Sequence, residues 1–148
     1  MKKIREYKLS SKSLFIAVLV LSAIVILLML FPDTAGRMLG ANIIFFWALL
    51  AFSGIGLAII TYRERISGKL KLFLLSTGFS SAGFFLGVVL HNLFYALGIL
   101  AKDLIGLDAF LNILEVGFFF AAIIICPIGI LVGVTGTLIL WKELPKVS

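Results

Sequence analysis

His91, Asn92 and Tyr95 are the residues of this 148-residue sequence best placed to do chemistry, because they interrupt a long apolar run. An ionisable side chain inside hydrocarbon is costly unless something partners it, so His91 must face other helices and have a neighbour to bond. Imidazole changes charge near neutral pH and can serve as a proton relay, a metal ligand or a haem ligand. The alternative is a neutral histidine hydrogen-bonded to an adjacent helix. Tyr95, one helical turn on, is placed to hydrogen-bond it. Asn92 points about 100° away and is expected to tie helices together.

A second group lies in the stretch from Ala101 to Glu115, where Asp108, Asn112 and Glu115 recur at i, i+4 and i+7. That spacing puts all three on one helical face, with Leu104, Leu107, Leu111 and Leu114 interleaved. His91 with Asp108 and Glu115 makes one imidazole and two carboxylates, a donor set suited to a divalent cation. The spacing matches no metal motif, and an acid near a helix start is already favoured by the helix dipole. No metal site is assigned, and no cofactor is implied. Cys126 and Pro127 stand mid-run; the proline should free the carbonyl of Ile123 and kink its helix. A lone cysteine excludes an intrachain disulfide and any C-x-x-C pair.

Absent chemistry narrows the field. A single histidine cannot supply both ligands of a bis-histidine haem, and no carboxylate interrupts the apolar runs as a proton-coupled exporter would want. No G-x-S-x-G, H-E-x-x-H or phosphate-cradling loop occurs.

The elements that position these groups follow from composition. The chain is 62% hydrophobic and 14% charged, whereas a soluble domain carries about a quarter charged residues. This excludes a soluble enzyme, a disordered tail and a nucleic-acid-binding domain. Four apolar runs, about 13–31, 42–62, 72–100 and 116–141, each reach the roughly 20 residues needed to cross a bilayer as helix. Helix is required because lipid offers no partner to backbone polar groups, and no alternation for a closed barrel is present. The expected fold is all-α, a single four-span membrane domain over residues 1–148. A short interfacial helix lies between spans 3 and 4, either separate or running into the fourth span, with Asp103 as its cap. The first run exceeds the ordinary length of a signal-peptide core and reads as an uncleaved span.

Small residues mark the packing faces. Ser76, Ser80, Gly83, Gly87, His91 and Gly98 fall on one side of the third span, with Gly83 and Gly87 in a G-x-x-x-G pair. Gly129 and Gly133 form another on the fourth, and Gly54 and Ala58 offer small positions on the second. The first span is Leu/Ile/Val-rich all round and should face lipid on its outer side.

Eleven of the thirteen Lys and Arg residues fall on one side of this topology; Arg37 and Lys102 alone fall on the other. Both termini are therefore expected in the cytoplasm, and the pI of about 9.7 is a topology signal. The bias also argues against dual insertion. Tyr62 and Trp141 mark one interfacial belt, and Trp47 the other. The expected partners are the lipid bilayer and other membrane helices, in a homo- or hetero-oligomer, with no nucleic acid. The function expected is that of a non-catalytic subunit or accessory acting through helix–helix association. The alternative is a small homo-oligomeric transporter or channel with a polar path near His91. An enzyme would need His91 to act with Asp108 or Glu115 at hydrogen-bond reach.

Overall fold

The computed structural model describes residues 10–31, 33, 42–104 and 106–144. The cations Lys2, Lys3, Arg5, Lys8, Arg37 and Lys146, used above to orient the chain, lie outside them. The described residues form helices and turns, with no strand among them. α1 spans Ser11–Leu30, α2 Ile43–Arg63, α3 Gly68–Leu100, α4 Leu107–Phe120 and α5 Cys126–Ile139. A π turn, Ala121–Ile125, joins α4 to α5 without a break, so Leu107–Ile139 is one helix of 33 residues. Four helices are thus long and apolar enough to cross a membrane, and the chain is a multi-pass membrane protein.

Of the two arrangements expected for the acidic stretch, the structure shows the continuous one: it forms the first turns of the last helix. The cap needs correction: the N-cap position is Gly106, at φ 92°, and Asp103 lies in the preceding turn without capping the helix. At Pro127 the helix does not simply lose a bond. It widens one turn earlier, where the Cys126 N–H reaches the Ala121 carbonyl, five residues back.

The turn between α2 and α3 is tight, with Arg65 at φ 54° and Gly68 at φ 68°. At this end the helices are flush. The Glu64 carboxylate accepts the Ser11 backbone N–H at 3.3 Å and the Ser11 hydroxyl at 2.5 Å. Glu64 thereby satisfies an orphan donor of α1 and places negative charge at the positive end of its dipole. Ser10 caps the same helix through its own hydroxyl, which accepts from the Ser13 N–H. Phe15 packs on Trp141 just beyond α5, with ring centroids 6.0 Å apart, and the Lys12 ammonium lies over the same indole.

The opposite end is not flush. α1 and α2 have 20 and 21 residues, α3 and the α4–α5 helix 33 each. At 1.5 Å per residue these are about 30 Å against about 50 Å. Trp47, near the start of α2, meets Phe84 of α3 edge-on at 5.8 Å, so the turns of α3 after His91 and the first turns of α4 stand clear of the shorter helices. The core of the flush region is Phe15, Val18, Leu50, Leu57, Leu74 and Phe84.

Candidate functional site

The small-residue faces are joined inside this one chain. A methyl group built on Gly54 of α2 would stand 2.5 Å from the Gly78 carbonyl oxygen of α3; one on Gly78 would stand 3.3 Å from the Ala58 nitrogen. On the other side of α3, a methyl on Gly133 would lie 2.7 Å from the Thr77 nitrogen and 2.8 Å from the Phe73 carbonyl oxygen. One on Gly129 would overlap the Ser80 hydroxyl. Gly83 and Gly87 are looser, 3.0 Å from Cys126 Sγ and from Ala122 Cβ. The Ser76 hydroxyl donates to the Gly129 carbonyl at 3.0 Å and ties α3 to α5 directly. α3 is therefore clasped on two faces at once, and close approach replaces the hydrophobic driving force that lipid removes.

His91 sits where this seam reaches the rim. Its Nδ1 lies 3.3 Å from the Glu115 backbone carbonyl and 3.8 Å from the Glu115 carboxylate, and its ring packs on Phe119 at 5.2 Å. Both side chains are largely covered, 27% and 21% exposed. The structure brings His91 together with Glu115 and with none of its other proposed neighbours. Tyr95 is exposed and makes no bond to the imidazole. Asn92 is exposed and its amide donates to Val88 of its own helix at 2.8 Å, so it ties no helices together. Asp108 lies two turns nearer the tip, against Gly98; Asn112 is exposed. Among the described residues no three His, Cys, Asp or Glu side chains gather as metal ligands.

The depth of His91 also differs from its place along its own run. Together with Met29, near the end of α1, and Trp47, near the start of α2, it lines one cavity. It thus lies level with the ends of the shorter helices. Below it the bundle closes with Phe84, Leu50 and Leu74, so no column of polar side chains continues inward among the described residues.

A feature with no sequence motif lies between α1 and the α4–α5 helix. α1 packs along α2 and touches α3 over a shorter stretch. It meets the end of α5 through Phe15 and Trp141, and diverges from it toward the rim. The divergence leaves two adjoining apolar cavities. One of about 100 Å³ is lined by Ser22, Val25, Leu50, Pro127 and Leu131 among others. The other, of about 190 Å³, is lined by Trp47, Val88, His91, Phe119 and Ile123 among others. Met29 and Phe84 line both. Ser22 and Trp47 contribute only apolar surface to these walls; Ser22 Oγ, Trp47 Nε1 and, outside the cavities, Thr137 Oγ1 are buried without a hydrogen-bond partner. The buried hydroxyls of Thr61, Thr77 and Ser81 instead each donate to the carbonyl four residues back. Nothing in the sequence pattern marks the groove. The one available signal was Ser22, a lone hydroxyl in an otherwise aliphatic stretch of the first span.

No protein-family model matches the chain, and no curated protein and no solved structure matches it.

Proposed function

We propose that the chain is a non-catalytic subunit or accessory of a larger membrane assembly, acting through helix–helix association, with both termini on the cytoplasmic side. The orientation rests on charge. Lys12, Arg63, Arg65, Lys69, Lys71 and Lys142 gather at the flush end, against Lys102 at the other.

The observation that carries the association reading is the mismatch in helix length. The hairpin formed by the end of α3 and the start of α4 rises about 20 Å beyond α1 and α2. Its flanks carry large apolar side chains that the other described residues leave uncovered: Leu100 is 81% exposed, Ile113 70%, and Leu97, Leu104 and Phe110 are exposed with them. A patch of this kind marks an interaction surface, and the overhang is too tall for the hydrocarbon layer that suits the shorter helices. The glycine seams cannot serve a partner, since this chain's own helices fill them. Association therefore falls to the hairpin and to the outer face of α1, where Ile16, Val20 and Leu27 are exposed.

The test is native mass spectrometry after gentle extraction from the host, with a photo-crosslinking residue at position 113. A stoichiometric complex with another polypeptide, cross-linked at 113, is the expected result. A chain that elutes alone or only with itself overturns it and turns attention to the second reading, a small homo-oligomeric transporter or channel. The contact of His91 with Glu115 at the rim favours that reading, and the apolar plug beneath it requires any path to run between copies. His91→Ala should then abolish flux in proteoliposomes while expression stays intact; unchanged flux removes the reading.

A further inference from the structure

We infer that the turn between α2 and α3 binds the phosphate of an anionic glycerophospholipid in the leaflet at the flush end, with the Lys71 ammonium, held on the Tyr62 ring, as the inner contact and Arg63 and Lys69 beside it. This goes beyond the association reading and holds whether or not the chain has a protein partner.

Charge selects the class of occupant. Four of the nine residues from Arg63 to Lys71 are cations. With Lys12 and Lys142 they bring six cations to the flush end of the described chain, against the acids Glu64 and Glu143. Glu64 is committed to Ser11, and none of the six cations forms an ion pair among the described side chains. Arg63, Arg65 and Lys69 are exposed. Cations left without a counter-charge where a span ends attract anionic lipid headgroups. The hairpin end has the opposite balance, with Lys102 among Asp33, Asp103, Asp108 and Glu115.

Depth selects a lipid over a soluble anion or an acidic protein. The Lys71 ammonium lies 4.5 Å from the centre of the Tyr62 ring. A cation on an aromatic face is held there by the ring's quadrupole, and a tyrosine at the end of a span sits at the headgroup level. Leu72, the next residue, is 67% exposed, so the pair borders directly on hydrocarbon. The surface beneath it fits the rest of the lipid. On α2 the side chains of Ile55, Ile59 and Tyr62 form one exposed face, and on α3 those of Leu72, Phe79 and Leu86 form another. Both faces lie about 100° round from the contact of Gly54 with Gly78, in the same sense along each chain. Because the two helices are antiparallel, the faces open on the same side of the pair. A phosphate at Lys71 therefore has its acyl chains laid along an apolar surface that no other described residue covers.

The test needs no altered protein at first. The full chain is reconstituted in nanodiscs of equal parts phosphatidylglycerol and phosphatidylcholine with identical chains, then released, and the lipid retained is counted by native mass spectrometry. One cation beside an anionic surface raises binding about fivefold, so phosphatidylglycerol should be retained in at least about fivefold excess. Equal retention overturns the inference. Lys69→Gln combined with Lys71→Gln should remove most of that excess. Lys12→Gln combined with Lys142→Gln takes away the same charge beside Trp141 and should leave it in place. Both pairs lie outside the buried core. Equal effects of the two double variants would mean diffuse attraction to the whole basic end and overturn the assigned site. Displacement of phosphatidylglycerol by inorganic phosphate at constant ionic strength, or capture of a polypeptide instead of lipid by a photo-crosslinker at position 79 in host membranes, overturns the assignment to a lipid.

Discussion

The two sides of α3 and the flank of α1 lie in the same apolar bundle and hold together in different ways. Along α3 the backbones of α2 and α5 approach so closely that a single added methyl would meet a carbonyl or an amide nitrogen. Along α1 the buried residues Phe15, Val18, Ser22 and Val25 make one narrow stripe, and the helix drifts away from α5 to leave a groove. The difference teaches what holds helices together in lipid. Apolar side chains gain little from leaving one hydrocarbon for another, so firm contact comes from backbones in close approach. The aliphatic α1 has no glycine, and the specific contacts that attach it, Ser11 to Glu64 and Phe15 to Trp141, lie at its start.

The comparison breaks most completely at the seam. Gly133→Leu would drive a branched side chain into the Thr77 nitrogen and the Phe73 carbonyl, neither of which can give way. Overpacking costs about 1–3 kcal/mol even where side chains can move. The expected loss is therefore about 3 kcal/mol, with a sharply lowered melting temperature in detergent. A melting curve like the parent's would mean that the seam is looser than the geometry shows. Gly56→Leu is the matched control on α2. Its only close neighbours are the flexible Leu14 methyls at 3.6 Å, and stability should hold within about 1 kcal/mol.

The attachment of α1 is tested next. Glu64→Gln removes the charge that accepts two hydrogen bonds from Ser11, and hydrogen bonds to charged groups contribute about 1.5–3 kcal/mol. The side chain is partly exposed, which points to the lower figure, about 1.5 kcal/mol. Because Phe15 and Trp141 still hold the helix, the variant should fold and show faster hydrogen exchange confined to the first turns of α1. Exchange spread evenly over the bundle would show that the clip supports the whole fold.

What the sequence revealed follows the same division. Run length and composition were enough for four helices, because a bilayer admits few other structures. The glycines on the third and fourth spans stood out because small residues at i, i+4 share a face. Depth was not legible: His91 stands 23 residues into a 33-residue helix and still lies at the rim, because the neighbouring helices end there. Its partner Glu115 was one of two acids under consideration, and only the packing of α4 against α3 put it, with Phe119 one turn on, beside the imidazole. The Ser11–Glu64 clip joins residues 53 apart with no motif between them. The groove is an absence of contact, which no pattern of residue types encodes.

His91 separates the two functional readings at modest energetic effect. His91→Ala removes one hydrogen bond to the Glu115 carbonyl and a ring packed on Phe119. A neutral hydrogen bond contributes about 0.5–1.5 kcal/mol, so the melting temperature should fall by a few degrees. Under the association reading the complex still forms, and its yield in the native mass spectrum is unchanged. Loss of the complex would move His91 from the bundle's own packing into the interface.

The smallest effect is expected one residue along. Asn92 is exposed, and its amide already bonds the Val88 carbonyl of its own helix at 2.8 Å. Removing that bond leaves no buried donor unpaired, because the carbonyl keeps its helical partner and the amide disappears with the side chain. Asn92→Leu should then change stability by less than about 0.5 kcal/mol, the ordinary range for a surface position. In the free protein it only extends the apolar surface of the hairpin, beside the exposed Leu93. The informative measurement is therefore made on the complex. If the partner covers this flank of the hairpin, leucine should hold or strengthen the association. If the amide instead leaves its own helix to bond the partner, Asn92→Leu would weaken the complex while the isolated chain melts as before.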